Sequence, residues 1–223
     1  RSGARPYNAT LPLQATMRIL LCDDDGYQAP GLVALHAALS PIAEVQVVAP
    51  EHNNSAKSNA LTLNAPLYVH TAPNGFRYVN GTPADCVRLA LHHLTPGAAW
   101  VLSGINAGGN LGVDVFHSVT VAAVREAVIH GVPGVAISHY IARGRPIDWA
   151  RAARWAAPVL ADLTARPWTP GTFWNVNLPH PPADAPDPEV AFCPLDPSPL
   201  ELHFEVDGGR ALYRGDYQRR PRR

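Results

Sequence analysis

The chain reads MRILLCDDDG at residues 17–26, an apolar run that ends directly in three carboxylates. The apolar run predicts a buried β-strand, so the three acidic side chains are expected at the end of that strand. Carboxylates this close together raise one another's pKa values and are destabilising unless a cation or a proton neutralises them. Gly26 allows a sharp turn into the helix that is predicted after Pro30. This stretch therefore indicates a cation site in an α/β enzyme.

Strand-like and helix-like segments alternate from Met17 to about His139, a pattern typical of βαβ units. The predicted fold is α/β: a Rossmann-like, mainly parallel sheet sandwiched by helices. Strand-like segments at 61–70 and 76–79 predict a hairpin inserted beside the main sheet. We expect residues 17–179 to form a catalytic domain and residues 180–223 a proline-rich C-terminal arm with a hairpin, which serves in oligomerisation. Residues 1–16 are interpreted as an N-terminal extension or expression remnant without a catalytic role.

Composition excludes several classes of protein. The chain has 18 basic and 18 acidic side chains and no formal net charge, which argues against broad binding of nucleic acid; the basic run at 219–223 is interpreted as a solvated terminus. Cys22, Cys86 and Cys193 lack C-x-x-C spacing, so neither a disulfide framework nor a thiolate zinc site is predicted. No apolar stretch approaches the ~20 residues that span a bilayer, and residues 1–16 lack the apolar core of a signal peptide. We expect a cytoplasmic protein that binds neither nucleic acid nor a membrane.

Three predicted strands end in segments suited to chemistry: the acidic turn, residues 50–59 and the glycine-rich residues 104–112. In an open parallel sheet, segments that follow the carboxyl ends of strands converge in one crevice. Oxygen ligands of the kind found there suit Mg²⁺, Mn²⁺ or Ca²⁺ rather than zinc. The candidate metal ligands are Asp24, Asp25, Ser55 and Asn106, and the candidate catalytic residues are Asp24 and Asp25.

The glycine-rich segment leads into a predicted helix at residues 120–130. A helix N-terminus with free backbone N–H groups binds anions, and a phosphate beside a divalent cation is the expected occupant. Each segment alone also fits a structural role, as a helix cap or a simple turn, but their joint occurrence at three strand ends favours a site. The candidate phosphate-binding residues are Gly108, Gly109, Asn110, Ser118, Val119 and Thr120.

Four motifs together resemble the SurE family of survival-protein nucleotidases. They lie at residues 19–31, at 47–50 with Ser55, at 81–87 and at 103–112, in the family's order and with similar spacing. The resemblance covers residues 17–138. It implies a phosphatase that depends on one divalent cation per subunit, Mg²⁺ or Mn²⁺, and that releases phosphate from nucleoside 5′- and 3′-monophosphates. It assigns the metal to Asp24, Asp25, Ser55 and Asn106, and it implies a homodimer or homotetramer with exchanged C-terminal arms.

The chain departs from the family pattern at two places. Asp23 stands where the family usually has Asn, which adds a charge to the acidic turn. Residues 117–120 read HSVT where the family usually has Tyr-Ser-Gly-Thr, and the β-branched Val119 restricts the backbone and crowds close approach of a phosphate. A nucleotide-binding protein that keeps the fold but has impaired catalysis is therefore an alternative.

A second alternative is a phosphatase that forms an aspartyl-phosphate on Asp23, because the acidic turn also spells D-x-D. Such enzymes need a lysine beyond mid-chain, whereas the only lysine of this chain is Lys57. His117 is a candidate acid for the leaving group, with a surface histidine as the favoured interpretation.

Overall fold

The computed structural model describes residues 17–199 and 202–215. The strands are β1 (Arg18–Cys22), β2 (Glu44–Pro50), β3 (Val69–Thr71), β4 (Arg77–Val79), β5 (Trp100–Ala107), β6 (Gly134–His139), β7 (Trp174–Leu178), β8 (Phe204–Asp207) and β9 (Arg210–Tyr213). The α-helices are α1 (Pro30–Leu39), α2 (Pro83–Leu89), α3 (Asp114–His117), α4 (Val119–Ile129) and α5 (Trp149–Ala165), and a π-helical turn at Ala90–Leu94 extends α2.

One seven-stranded sheet organises the chain, in the order β3-β4-β2-β1-β5-β6-β7. Its strands are parallel except β3, which pairs antiparallel with β4. The chain leaves β1 toward β2 on one side and returns to β5 on the other, so the sheet switches direction beside β1. Loops at the carboxyl ends of strands that flank such a switch border one crevice. The predicted α/β fold is confirmed.

The apolar side chains of β1 explain why this strand forms the centre of the sheet. Ile19, Leu20 and Leu21 are fully buried although their side chains alternate between the two faces. Helix α1 packs with α5, and α2 packs with α4, so that a layer of helices covers each face. A strand that is covered on both faces requires the continuous apolar run seen at residues 19–22.

Two helices start as their sequences indicate. At α2, the Thr82 side chain accepts a hydrogen bond from the Asp85 N–H (3.2 Å), and the Asp85 carboxylate accepts one from the Thr82 N–H (3.0 Å). This reciprocal capping box satisfies two N–H groups that the helix leaves unpaired. At α4, Ser118 caps the helix by accepting from the Val121 N–H at 3.1 Å.

The structure corrects two predicted boundaries. The strand expected over 61–70 comprises only Val69–Thr71, because Thr62 donates its N–H and hydroxyl to the Asp85 carboxylate, at 2.9 and 2.7 Å. Strand β5 extends into the predicted glycine-rich loop and ends at Ala107. Its pairing with β6 has an irregular register between Ser103 and Asn106. Gly104 permits this path, because its φ is +136° and an added Cβ would lie 2.1 Å from the Ile137 carbonyl oxygen.

The C-terminal part of the chain contains little regular structure. Residues 180–199 run without helix or strand, and β8 and β9 form an antiparallel hairpin, as predicted for this region. The segments 1–16 and 219–223, for which predictions were made from sequence, lie outside the described residues. The proposed domain boundaries stay predictions. Within 17–199 and 202–215, no helix has the length and apolar character needed to cross a membrane.

Candidate active site

The acidic turn lies at the carboxyl end of β1, where Asp23 is fully buried, Asp24 is 4% exposed and Asp25 is half-buried. Gly26 takes a φ of +103°, which favours glycine, and the Tyr27 N–H donates to the Pro50 carbonyl oxygen at 2.9 Å. The turn is thereby fastened to the end of β2. Three adjacent carboxylates thus occupy three different environments.

Asp23 points its carboxyl group into the protein. Its Oδ1 accepts from the Asp24 N–H at 2.9 Å, and its buried Oδ2 has no hydrogen-bond partner among the described residues. Burial, with the charges of Asp24 and Asp25 adding to it, raises the pKa of Asp23 well above its usual value. In the described part of the chain, no three carboxylate, imidazole or thiol groups are arranged to hold a metal ion. The acidic turn is therefore not a site of three equivalent ligands.

Asp24 is joined to the first turn of α4. Its Oδ1 accepts a hydrogen bond of 2.5 Å from the hydroxyl of Thr120, which is 1% exposed. Burial raises the pKa of Asp24 from 3.8 to about 6; the Thr120 hydrogen bond opposes this shift and the charge of Asp25 adds to it. A cation beside Asp24 would favour its ionised form.

Asp25 is held from two sides. Its Oδ1 accepts from Asn53 Nδ2 at 2.6 Å, and its Oδ2 accepts from the Ala107 N–H at 3.1 Å. Asn53 belongs to the segment after β2, and Ala107 is the last residue of β5. The Asp25 carboxylate therefore connects the two other segments that the sequence selected.

The remaining predicted ligands lie in these same segments. Ser55 is exposed and its N–H donates to Asn53 Oδ1 at 2.8 Å, while the Asn54 N–H donates to the Asp24 carbonyl oxygen at 2.8 Å. The Nδ2 of Asn106 donates a hydrogen bond to the Gly108 carbonyl oxygen at 2.8 Å. The Oδ1 of Asn106 is therefore the side-chain atom that could bind a cation. Two carboxylates, a hydroxyl and an amide oxygen are a donor set that fits Mg²⁺ or Mn²⁺. The convergence of all four side chains on one ion stays a prediction.

Asn110 is fixed by a cluster of amide hydrogen bonds. Its N–H donates to Asn177 Oδ1 at 2.8 Å, and its carbonyl oxygen accepts from Asn175 Nδ2 at 2.9 Å and Asn177 Nδ2 at 3.0 Å. Its own Nδ2 donates to Ser138 Oγ at 2.7 Å. The backbone N–H of Asn110, a candidate phosphate-binding residue, is thus already bonded in this structure. Asn110 acts here as the anchor of residues 108–112 to the edge strand β7, and the roles predicted for Gly108 and Gly109 stay predictions.

The anion site is predicted at the N-terminus of α4. Within the described residues, no acceptor is found for the backbone N–H groups of Val119 and Thr120. The Val119 side chain is 3% exposed, and its effect on the approach of a phosphate stays a prediction. His117 ends α3 with an exposed side chain, as a surface histidine would.

Several residues of this site escaped the sequence analysis. Asn53 stands two positions before Ser55, a spacing at which an Asn side chain often accepts the N–H of residue i+2, so a local signal existed. Asn175 and Asn177 alternate in β7 and therefore share one face of it, which marks a polar face near the strand's end. The pairing of Thr120 with Asp24 has no such signal, because 96 residues separate them.

Comparisons with known proteins identify the family of this chain. The family model described as survival protein SurE matches residues 19–196. A relative in Nostoc sp. that bears the provisional name of a 5′-nucleotidase is 45% identical over 92% of this chain and 91% of its own length. The protein of Variovorax paradoxus named 5′-nucleotidase SurE is 53% identical over 74% of this chain and 66% of its own length. The crystal structure of the SurE protein from Aquifex aeolicus superposes with a TM-score of 0.74 at 32% identity, covering 88% of this chain and 80% of that one. The chain belongs to the survival protein SurE family.

Proposed function

We propose that this protein is a divalent-metal-dependent phosphatase that hydrolyses nucleoside 5′-monophosphates, and also 3′-monophosphates, to nucleoside and phosphate. The observation that carries the proposal is the 2.5 Å hydrogen bond from Thr120 to Asp24, which places a carboxylate cluster directly beside the N-terminus of α4. Carboxylates bind a cation and a helix N-terminus binds a phosphate, so the two halves of a metal-assisted phosphatase site are adjacent. Relatives named as 5′-nucleotidases support the substrate class.

The metal would be held by Asp24, Asp25, Ser55 and Asn106, with Mg²⁺ or Mn²⁺ as the proposed ion and Ca²⁺ as a further one that this donor set accommodates. When bound, such an ion polarises a phosphoryl oxygen and lowers the pKa of a water molecule. No part of this arrangement requires a charged Asp23.

The protein's own groups have three tasks in this reaction. Asp24 or Asp25 orients the attacking water and accepts its proton, which is consistent with the raised pKa of Asp24. The backbone N–H groups of Val119 and Thr120 stabilise the negative charge that develops on the phosphoryl oxygens. The contacts of Asp25 with Asn53 and Ala107 keep its carboxylate in place during turnover.

An aspartyl-phosphate mechanism on Asp23 has no support from the structure. A nucleophile must reach the phosphorus atom, whereas Asp23 is fully buried. Lys57, the only lysine, donates to Asn54 Oδ1 at 2.7 Å, within the segment after β2.

A phosphate-release assay tests the proposal on a panel of nucleoside 5′- and 3′-monophosphates, in chelator alone and with Mg²⁺, Mn²⁺ or Ca²⁺. We expect release only with a divalent ion, retained release in Asp23→Asn and loss of release in Asp25→Asn. Binding of nucleotide without release under any ion would instead establish a binding protein with impaired catalysis. Acyl-phosphate trapped on Asp23 would establish the aspartyl-phosphate mechanism.

We further propose that the protein is a cytoplasmic homodimer or homotetramer, with residues 180–223 as the oligomerisation element. Large apolar side chains are exposed along this arm, among them Val190, Phe192, Leu202 and Val206. Exposed apolar surface on one segment is typical of an interface. Sedimentation equilibrium measures the state directly, and a monomer at micromolar concentration would contradict this proposal.

A further inference from the structure

The side chain of Asn53 touches two of the segments that carry predicted metal ligands. Its Nδ2 donates to Asp25 Oδ1 at 2.6 Å, and its Oδ1 accepts from the Ser55 N–H at 2.8 Å. The orientation of this amide is determined by its partners, because a backbone N–H only donates and a carboxylate accepts. One planar group therefore sets the separation between Asp25 and the backbone of Ser55.

The opposite oxygen of Asp25 is restrained independently. The Ala107 N–H donates to Asp25 Oδ2 at 3.1 Å, and Ala107 follows the predicted ligand Asn106 directly. With one donor on each oxygen, rotation of the carboxylate would break at least one hydrogen bond. Each oxygen keeps a further lone pair, so these contacts leave Asp25 able to bind a cation.

We propose that Asn53 is a positioning residue: it orients the Asp25 carboxylate and holds Ser55 beside it, so that both ligand-bearing segments are in place before a cation binds. Partners that orient metal ligands in this way raise metal affinity, because the cost of ordering the ligands is met in advance. The consequence for turnover depends on the function proposed above, whereas the consequence for the conformation of Asp25 does not.

A purely local role for Asn53 makes a different prediction. Asn74 forms the same local contact in the turn between β3 and β4, where its Oδ1 accepts the Phe76 N–H at 3.1 Å. Among the described residues, no carboxylate is found hydrogen-bonded to Asn74. Asn74→Ala is therefore a matched control that removes the local turn contact and leaves the acidic turn unchanged.

The first experiment measures backbone hydrogen exchange in the metal-free full chain for wild type, Asn53→Ala and Asn74→Ala. We expect Asn53→Ala to accelerate exchange of the Ala107 N–H, which lies on the far side of Asp25, by about tenfold, since that N–H is protected only while the carboxylate is held. Asn74→Ala should leave it unchanged. Exchange of the Ala107 N–H at the wild-type rate in Asn53→Ala would overturn the proposal.

The second experiment titrates Mg²⁺ or Mn²⁺ alone into the same three proteins by calorimetry. We expect Asn53→Ala to weaken cation affinity by about 10- to 100-fold and Asn74→Ala to leave it within twofold of wild type. Equal affinity of Asn53→Ala and wild type would also overturn the proposal. Thermal unfolding of each variant verifies that it is folded. Absence of phosphate release by wild type would refute the proposed function, while the exchange comparison would still decide the role of Asn53.

Discussion

Replacing Thr120 by Val tests the contact that joins the carboxylates to α4. The substitution keeps the shape of a β-branched side chain and removes the 2.5 Å hydrogen bond to Asp24 Oδ1. Thr120 and Asp24 are both almost fully buried, so water does not replace the lost donor. A hydrogen bond to a charged group contributes about 1.5–3 kcal/mol, and one to a neutral group about 1 kcal/mol. The loss of stability should therefore depend on whether Asp24 is ionised.

The pH range follows from the raised pKa of Asp24. In metal-free wild type this group stabilises the fold fully below its ordinary pKa of 3.8, and that contribution is lost as the pH rises through about 6. The shift of about two units corresponds to about 3 kcal/mol. Without Thr120 the pKa of Asp24 rises further, because the lost hydrogen bond favours the ionised carboxylate. Thr120→Val should accordingly cost about 1 kcal/mol at pH 5 and about 2 kcal/mol or more at pH 8.

Urea unfolding followed by circular dichroism, in metal-free buffer at pH 5 and pH 8, measures this difference. Thr164→Val is the matched control: Thr164 is fully buried in α5 and its hydroxyl donates to the Leu160 carbonyl oxygen at 2.8 Å. No carboxylate takes part in that bond, so its loss should be the same at both pH values. An equal loss for Thr120→Val at pH 5 and pH 8 would refute the reasoning, because it would mean that the hydrogen bond does not depend on the charge of Asp24.

Two further substitutions test the surroundings of the site. In metal-free protein at pH 8, Asp23→Asn should raise the urea midpoint. The substitution keeps the Oδ1 that accepts the Asp24 N–H, and it removes a buried carboxyl group that at this pH must either carry a charge or take up a proton, both of which cost free energy. A lower midpoint would contradict this account. Asn177→Leu should lower stability by about 1–3 kcal/mol and raise the KM for nucleotide, since it removes both hydrogen bonds to the backbone of Asn110. The control Asn80→Leu removes an exposed side-chain acceptor for the Tyr68 N–H at 2.7 Å and should leave KM unchanged. An equal rise in KM for both variants would contradict the proposed anchoring of Asn110 by Asn177.

The sequence predicted most of the strands and helices because their signals are local. The apolar run of β1 involves adjacent residues, and this strand is present as expected. The capping box of α2 likewise joins residues only three positions apart. The two wrong boundaries involve contacts over longer distances. Thr62 pairs with Asp85, 23 residues away, and Gly104 meets the backbone of β6 at Ile137, so neither effect is visible in a short window of sequence.

The same contrast between local and long-range signals applies to the candidate site. The sequence predicted Asp24, Asp25, Ser55 and Asn106 as a set of oxygen ligands at strand ends, and the structure places their segments in contact through Asn53 and Ala107. Asn53 had a local signal in its spacing from Ser55, whereas the anchoring of Asn110 required the edge strand to be in place.

By itself, the sequence determined that an acidic turn follows a buried strand, that a parallel sheet gathers the loops around it and that the chain resembles one family. Only the tertiary structure decided how the three neighbouring carboxylates differ. Asp23 enters the interior, Asp24 meets Thr120 of α4, and Asp25 is held between two loops. The physical reason is that the burial and partners of a side chain at a strand end depend on the elements packed around it, and these elements come from positions up to 96 residues away.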